Sequence, residues 1–243
     1  MSKLIKSIKM NKSGFSMVEV LLAMLIGTFI IGTLFISVMA GAKSSSRIEK
    51  NISGQQDARA ALSIMAIELG MASYNPTRAS DSFIWSDLTT TAGQGCGLNA
   101  AVTNPTWRGI VEASANTITV EADINDDGVV GATNEPNEVV RYVFDAANNR
   151  ITRCTCCTTS TTGGGGQPFL GDVSGSITKG VYVINNTLGI PVFRYYDGSG
   201  TEITNLATGI PNIRRIDITL AVETDETNSA KRKRMIYSTS VIP

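Results

Sequence analysis

Between Phe15 and Ala42 the chain reads FSMVEVLLAMLIGTFIIGTLFISVMAGA, with a single charge at Glu19, and Lys43 closes the run. About 20 consecutive apolar residues are enough to cross a bilayer as a helix. The stretch therefore predicts a membrane-spanning segment and leaves the remaining chain to fold outside it. The residues ahead of it, MSKLIKSIKMNKSG, carry Lys3, Lys6, Lys9 and Lys12 and no acid. That bias predicts an N-terminus on the cytoplasmic side and everything after Lys43 on the far side.

A secretory signal peptide has its apolar region before the cleavage site. Here the natural break, Ser13-Gly14-Phe15, comes before the apolar region, so cutting there would keep the helix on the mature chain. This arrangement resembles the class III signal of type IV pilins and of the pseudopilins of type II secretion. The resemblance implies that a prepilin peptidase cleaves after Gly14 and methylates Phe15, and that Glu19 falls on the family's fifth mature position. There its partner would be the N-terminal amine of a neighbouring subunit. Charge alone also marks Glu19, because a carboxylate inside hydrocarbon is costly unless paired or hydrated. The plainer alternative is a signal anchor whose Glu19 snorkels to the interface.

Of 243 residues, roughly 200 remain outside the leader and the apolar run, enough for one domain with its own core. The 21 basic and 21 acidic residues balance, yet four of the basic ones lie in the leader, so the mature chain is mildly acidic. That speaks against a general nucleic-acid partner. No histidine occurs, which removes Ser-His-Asp and Cys-His catalysis and imidazole-dependent zinc sites. With no convincing nucleophile or acid pair either, the expectation is a protein that is not an enzyme.

Ile48, Ile52, Leu62, Met65 and Leu69 recur at helical spacing beyond Lys43, and Asn75-Pro76 predicts the stop. The division expected is a leader at 1–14, a transmembrane half of one stalk helix at 15–42 and a soluble half at 43–75. A β-rich head follows at 76–243, with an irregular insertion at 77–116 and one short strand near Phe83-Ile84-Trp85. Strands are predicted at 117–122, 138–145, 150–153, 181–184, 191–196, 213–223 and 235–241. Asn148-Asn149 and Asp197-Gly198-Ser199-Gly200 are read as turns. The fold class is α+β, a long N-terminal helix packed on a mainly antiparallel sheet.

The segment QQDARAALSIMAIELGMASYNP is similar to the end of the stalk in PilW-type minor pilins, and more distantly to the J-type pseudopilin of type II secretion. EVVRYVFD, VFRYYDGSG and IPNIRRIDITLAV extend the PilW likeness into the head. Ile36 stands where major pilins often carry a proline. The likeness implies a minor pilin that initiates or caps a filament, with other minor and major pilins as partners. It would sit in the inner membrane before assembly and then in a surface filament or a periplasmic pseudopilus. A pilus-displayed adhesin or DNA-binding module is the alternative from another class.

Three constellations remain. Asp123-Ile124-Asn125-Asp126-Asp127-Gly128-Val129 matches the front of a calcium loop, with side-chain oxygens from Asp123, Asn125 and Asp127 and a carbonyl from Val129. The twelfth position is Asn134 rather than an acid, and Glu135 follows it. A polar turn is the simpler explanation. Cys96, Cys154, Cys156 and Cys157 lack zinc-ribbon spacing and are read as disulfide formers, with Cys96 bridging to the later cluster. Lys231-Arg232-Lys233-Arg234 is read as a hairpin arm paired across strands with Glu223, Asp225 and Glu226 rather than as a DNA contact.

Overall fold

The computed structural model describes residues 14–76, 93–94, 98–99, 109–127, 130, 136–155, 166–171, 181–224 and 232–243. The chain divides into two compact units, Met1–Ile48 and Glu49–Pro243. Helix α1, Met17–Gly70, contributes to both, close to the expected stalk.

In the first unit the helix has no side chain buried within its most apolar stretch. Its few hydroxyls turn back on the backbone: Thr28 donates to the Met24 carbonyl at 2.7 Å, Thr33 to Ile30 at 2.8 Å and Ser37 to Thr33 at 2.9 Å. A hydroxyl satisfied within its own helix adds little cost in an apolar medium.

The second unit is built on antiparallel pairing throughout its described strands. Two-residue strands β1 (Gly93–Gln94) and β2 (Leu98–Asn99) pair with each other. A five-stranded meander follows: β3 (Ile110–Ala113), β4 (Thr117–Glu121), β5 (Val139–Asp145), β6 (Arg150–Thr155) and β7 (Gln167–Leu170), in that spatial order. The second sheet holds β8 (Val181–Val183), β9 (Phe193–Tyr196), β10 (Arg215–Thr224) and β11 (Arg234–Val241). Strand β10 pairs with β11 over eight residues on one side, and with β9 and β8 in turn on the other.

Seven predicted strands fall on β4, β5, β6, β8, β9, β10 and β11. Four do not come from the pattern: the two-residue strands β1 and β2, which lie inside the range 77–116 expected to be irregular, and the longer β3 and β7. Strand β3 lies inside the range 77–116 that was expected to be irregular, and β7 lies just after a glycine run; both are four residues long, too short for a period to register. The strand expected near Phe83-Ile84-Trp85 falls outside the described residues.

The β5–β6 turn shows how local chemistry sets register. Asp145 accepts from the Asn148 amide nitrogen and side chain and from Arg150 Nε at 3.1 Å, while Asn149 takes a φ of 49°. Asparagine tolerates that left-handed region better than most residues.

From Glu49 onward the helix has an inner face, Ala58, Ala61, Leu62, Met65 and Leu69, spaced at three and four residues. These join one core with Ile118, Tyr142, Ile151, Ile216, Ile218 and Leu220. Glu68 reaches into the first sheet, where it accepts from the Tyr142 hydroxyl and, bidentately, from the Arg153 guanidinium, with a closest approach of 2.7 Å. Arg59 lies over the Tyr237 ring of β11 at 5.6 Å. The helix exit is stapled to β4: Ser73 N–H donates to the Glu121 carbonyl at 3.0 Å, and Asp123 N–H to the Tyr74 carbonyl at 2.9 Å. Gly109 sits against this exit with φ +67°, where a Cβ would lie 2.0 Å from Ser73 N. Only glycine fits there.

Candidate functional site

Gly14, Phe15 and Ser16 precede the helix in non-helical conformation, and α1 begins at Met17. Glu19 stands in the first turn. The Ser16 carbonyl accepts from the Glu19 and Val20 amides at 3.0 and 3.2 Å, and Glu19 Oε2 accepts from Ser16 N–H at 3.3 Å. This is the reciprocal half of a capping box, Ser-x-x-Glu, in which the N3 acid satisfies the N-cap amide. The pattern S-M-V-E ahead of an apolar run is legible in the sequence, and the charge argument alone passed over it.

The cap gives Glu19 a local role in an isolated chain and also holds its carboxylate beside Phe15. A shallow groove there is lined by Phe15, Glu19, Val20, Ala23 and Met24. Phe15 is 85% exposed, and among the described residues no side chain is packed over the Gly14–Phe15 bond. A new amine at Phe15 would appear next to an acid at the positive end of a helix, where negative charge is favourable. Among the described residues, α1 is the one helix long and apolar enough to cross a membrane.

In the loop after β4, Asp123 is fully buried and Glu138 nearly so. Asp123 Oδ1 accepts from the amides of Asp126 at 2.8 Å and Asp127 at 3.3 Å, and Asn125 Oδ1 from Asp127 at 3.1 Å. Glu138 Oε1 accepts from the Ile124 amide at 3.1 Å. Asp123 and Asn125 are thus brought together with their oxygens on backbone donors, and Asp127 is exposed. Among the described residues no three His, Cys, Asp or Glu side chains form a group that could hold a metal. Val129 and Glu135 lie outside the described residues.

Cys154, on β6, is disulfide-bonded, and Cys96, Cys156 and Cys157, one of which is its partner, lie outside the described residues. In the basic run, Arg234 and Arg232 both reach Glu223, at 3.1 and 3.8 Å, and Arg232 lies over Tyr182 at 5.1 Å. The cross-strand pairing expected for Glu223 is present; Asp225, Glu226 and Lys231 lie outside the described residues.

Residues 9–35 match the family model of the prokaryotic N-terminal methylation motif. No curated protein and no solved structure matches the chain. The motif implies processing by a prepilin peptidase and assembly with other pilins. It supports a type IV pilin or pseudopilin type of protein, and with the apolar helix it fits a membrane-anchored chain. A long N-terminal helix followed by antiparallel sheet is the α+β arrangement expected of a pilin-like fold.

Proposed function

We propose that this chain is a PilW-like minor pilin, entering a type IV pilus through its N-terminal helix to initiate or cap assembly. One observation carries the reading: an acid capped at the head of an unburied apolar helix, three residues past an exposed Gly14–Phe15–Ser16 segment. An apolar helix surface of this extent has to be covered by lipid or by like helices. The work is assembly rather than catalysis, in keeping with a histidine-free sequence.

Quantitative mass spectrometry of sheared surface filaments tests it. A trace of this chain with N-methylated Phe15, and loss of filaments in a Glu19→Ala strain, is the expected result. Stoichiometric amounts would make it a bulk subunit. A processed chain confined to the inner membrane would make it a J-like secretion pseudopilin. Normal filaments with lost adhesion or DNA uptake would move it to a displayed binding module.

Calcium is proposed at Asp123, Asn125, Asp127, Val129 and Glu135, resting on the spacing of the loop. Calorimetric heat and a raised melting temperature at millimolar calcium support it, and absence of both overturns it. The proposed disulfide partner of Cys154 is Cys96, read out by peptide mapping without reduction.

A further inference from the structure

Strand β11 is an edge. Its partner β10 takes Glu223 opposite Arg234 and Ile216 opposite Val241, and just beyond that ladder Thr224 N–H donates to the Lys233 carbonyl at 3.0 Å. In an antiparallel ladder, residues facing each other alternate between pairs that exchange backbone hydrogen bonds and pairs that do not. The bonded set therefore falls on residues 233, 235, 237, 239 and 241 of β11. The other side of β10 agrees in phase: Thr219 N–H points away from β11, to the Val192 carbonyl at 2.8 Å, and Ala221 N–H to Asn185 Oδ1 at 2.9 Å.

The N–H and C=O groups of Arg234, Ile236, Ser238 and Ser240 consequently point outward along the edge. Among the described residues no strand pairs with them. Protein edges are ordinarily blunted by proline, by inward charge or by a bulge. Between Arg234 and Val241 there is no proline, no bulge and no charge beyond Arg234, and Ile236 is 57% exposed. This is a template for an added strand.

Charge selects which strand. Arg234 reaches Glu223 across the strands at 3.1 Å, yet its side chain is 59% exposed and keeps guanidinium donors toward solvent. The beginning of the edge therefore presents an exposed guanidinium to an incoming strand, while the stretch from Met235 to Val241 carries no charge. A second copy of β11 has no acid of its own to offer it. We propose that β11 docks an extended segment of another protein by antiparallel strand addition. That segment carries an acidic residue at its C-terminal end, against Arg234, and an apolar one beside Ile236. The site uses no residue of the first unit and goes beyond the assembly reading.

The test uses the full chain in detergent micelles and a fluorescent eight-residue peptide of alternating valine and threonine ending in two glutamates. Saturable binding is expected, with new amide-exchange protection at Ile236, Ser238 and Ser240. The peptide N-methylated on the amides that face the edge should bind at least tenfold more weakly. Arg234→Glu should reverse the preference between glutamate-ended and lysine-ended peptides, and Ser238→Pro, which deletes an outward N–H, should abolish binding. Because Arg234→Glu leaves every backbone donor in place, it keeps the test decisive if the proline variant unfolds. Absence of binding at millimolar peptide, equal binding of the N-methylated peptide, or protection elsewhere in the chain overturns the proposal.

Discussion

One helix serves two different environments in this chain. Up to Ile48 its apolar side chains are all outside: Leu25 is 55% exposed, Phe29 69% and Ile36 68%. From Glu49 the same secondary structure hides one face, with Ala58, Met65 and Leu69 fully buried, and sends Glu68 into a hydrogen-bonded clasp. The apolar part of the first stretch satisfies its backbone and the hydroxyls of Thr28, Thr33 and Ser37 internally, so it asks nothing of the protein except an apolar surrounding. The second derives its stability from the sheets it packs on, as most helices in proteins do. A substitution should therefore cost folding free energy in the second stretch and almost none in the first, where the cost appears in membrane retention and assembly.

The largest effect is expected where the helix exit meets the sheet. Gly109→Ala places a methyl 2.0 Å from a backbone nitrogen, at a positive φ that alanine resists. Because the clash is with backbone, neither side can yield cheaply, and a loss of about 4 kcal/mol or more follows. Chemical unfolding of the detergent-solubilised chain measures it. A melting curve unchanged from the parent would dissolve the idea that the exit is rigidly stapled.

The contrast itself is tested by a matched pair. Met65→Ala removes a fully buried side chain and should cost about 3 kcal/mol of unfolding free energy, from lost transfer plus a cavity. Leu25→Ala, in the exposed stretch, should change it by less than about 0.5 kcal/mol. Equal losses would mean that the first stretch is held by this chain's own packing.

What could be read in advance follows the same division. The apolar run and its continuation as one long helix were legible because length and hydropathy act locally and need no partner in space. The long strands β5 and β10 were legible because alternation over seven or more residues has no competing reading. The four-residue strands β3 and β7 were not, since their pairing is decided by neighbours in the meander rather than by their own period. Nor was the Glu68 clasp: Tyr142 and Arg153 lie far along the chain, and no spacing rule links them to a helix glutamate. The Asp123 loop shows the opposite limit. Its residue types suit both a cation and a self-closing turn, and composition cannot separate the two chemistries.

Glu68→Ala is the next smaller effect. It strips a half-buried guanidinium and a buried phenol of their shared acceptor, and the loss should be about 2 kcal/mol. Tyr142→Phe leaves the Arg153–Glu68 pair intact and should cost about 1 kcal/mol. Denaturant midpoints of the two variants measure the difference. Should Tyr142→Phe prove the more damaging, the clasp would be held by the phenol rather than by the ion pair.

The smallest effect appears only in alkali, and it singles out the second unit. Burial first, and then the Glu68 carboxylate that accepts its proton, hold the Tyr142 hydroxyl well above the ordinary phenol range. Burial does the same for Tyr195, whose hydroxyl donates to the Ser114 carbonyl at 2.9 Å. A raised folded-state pKa means that the native chain keeps its proton while the unfolded chain loses it near pH 10. The stability is therefore complete below that pH and declines above it. Each tyrosine should remove about 1 kcal/mol by pH 10.5. Neutral-pH stability falls modestly in Tyr142→Phe with Tyr195→Phe, but the double variant should lose the alkaline slope that these two phenols contribute. Melting of parent and double variant between pH 8 and 10.5 decides it. Parallel curves would show that these two phenols do not set the alkaline loss, and would erase this difference between the two stretches.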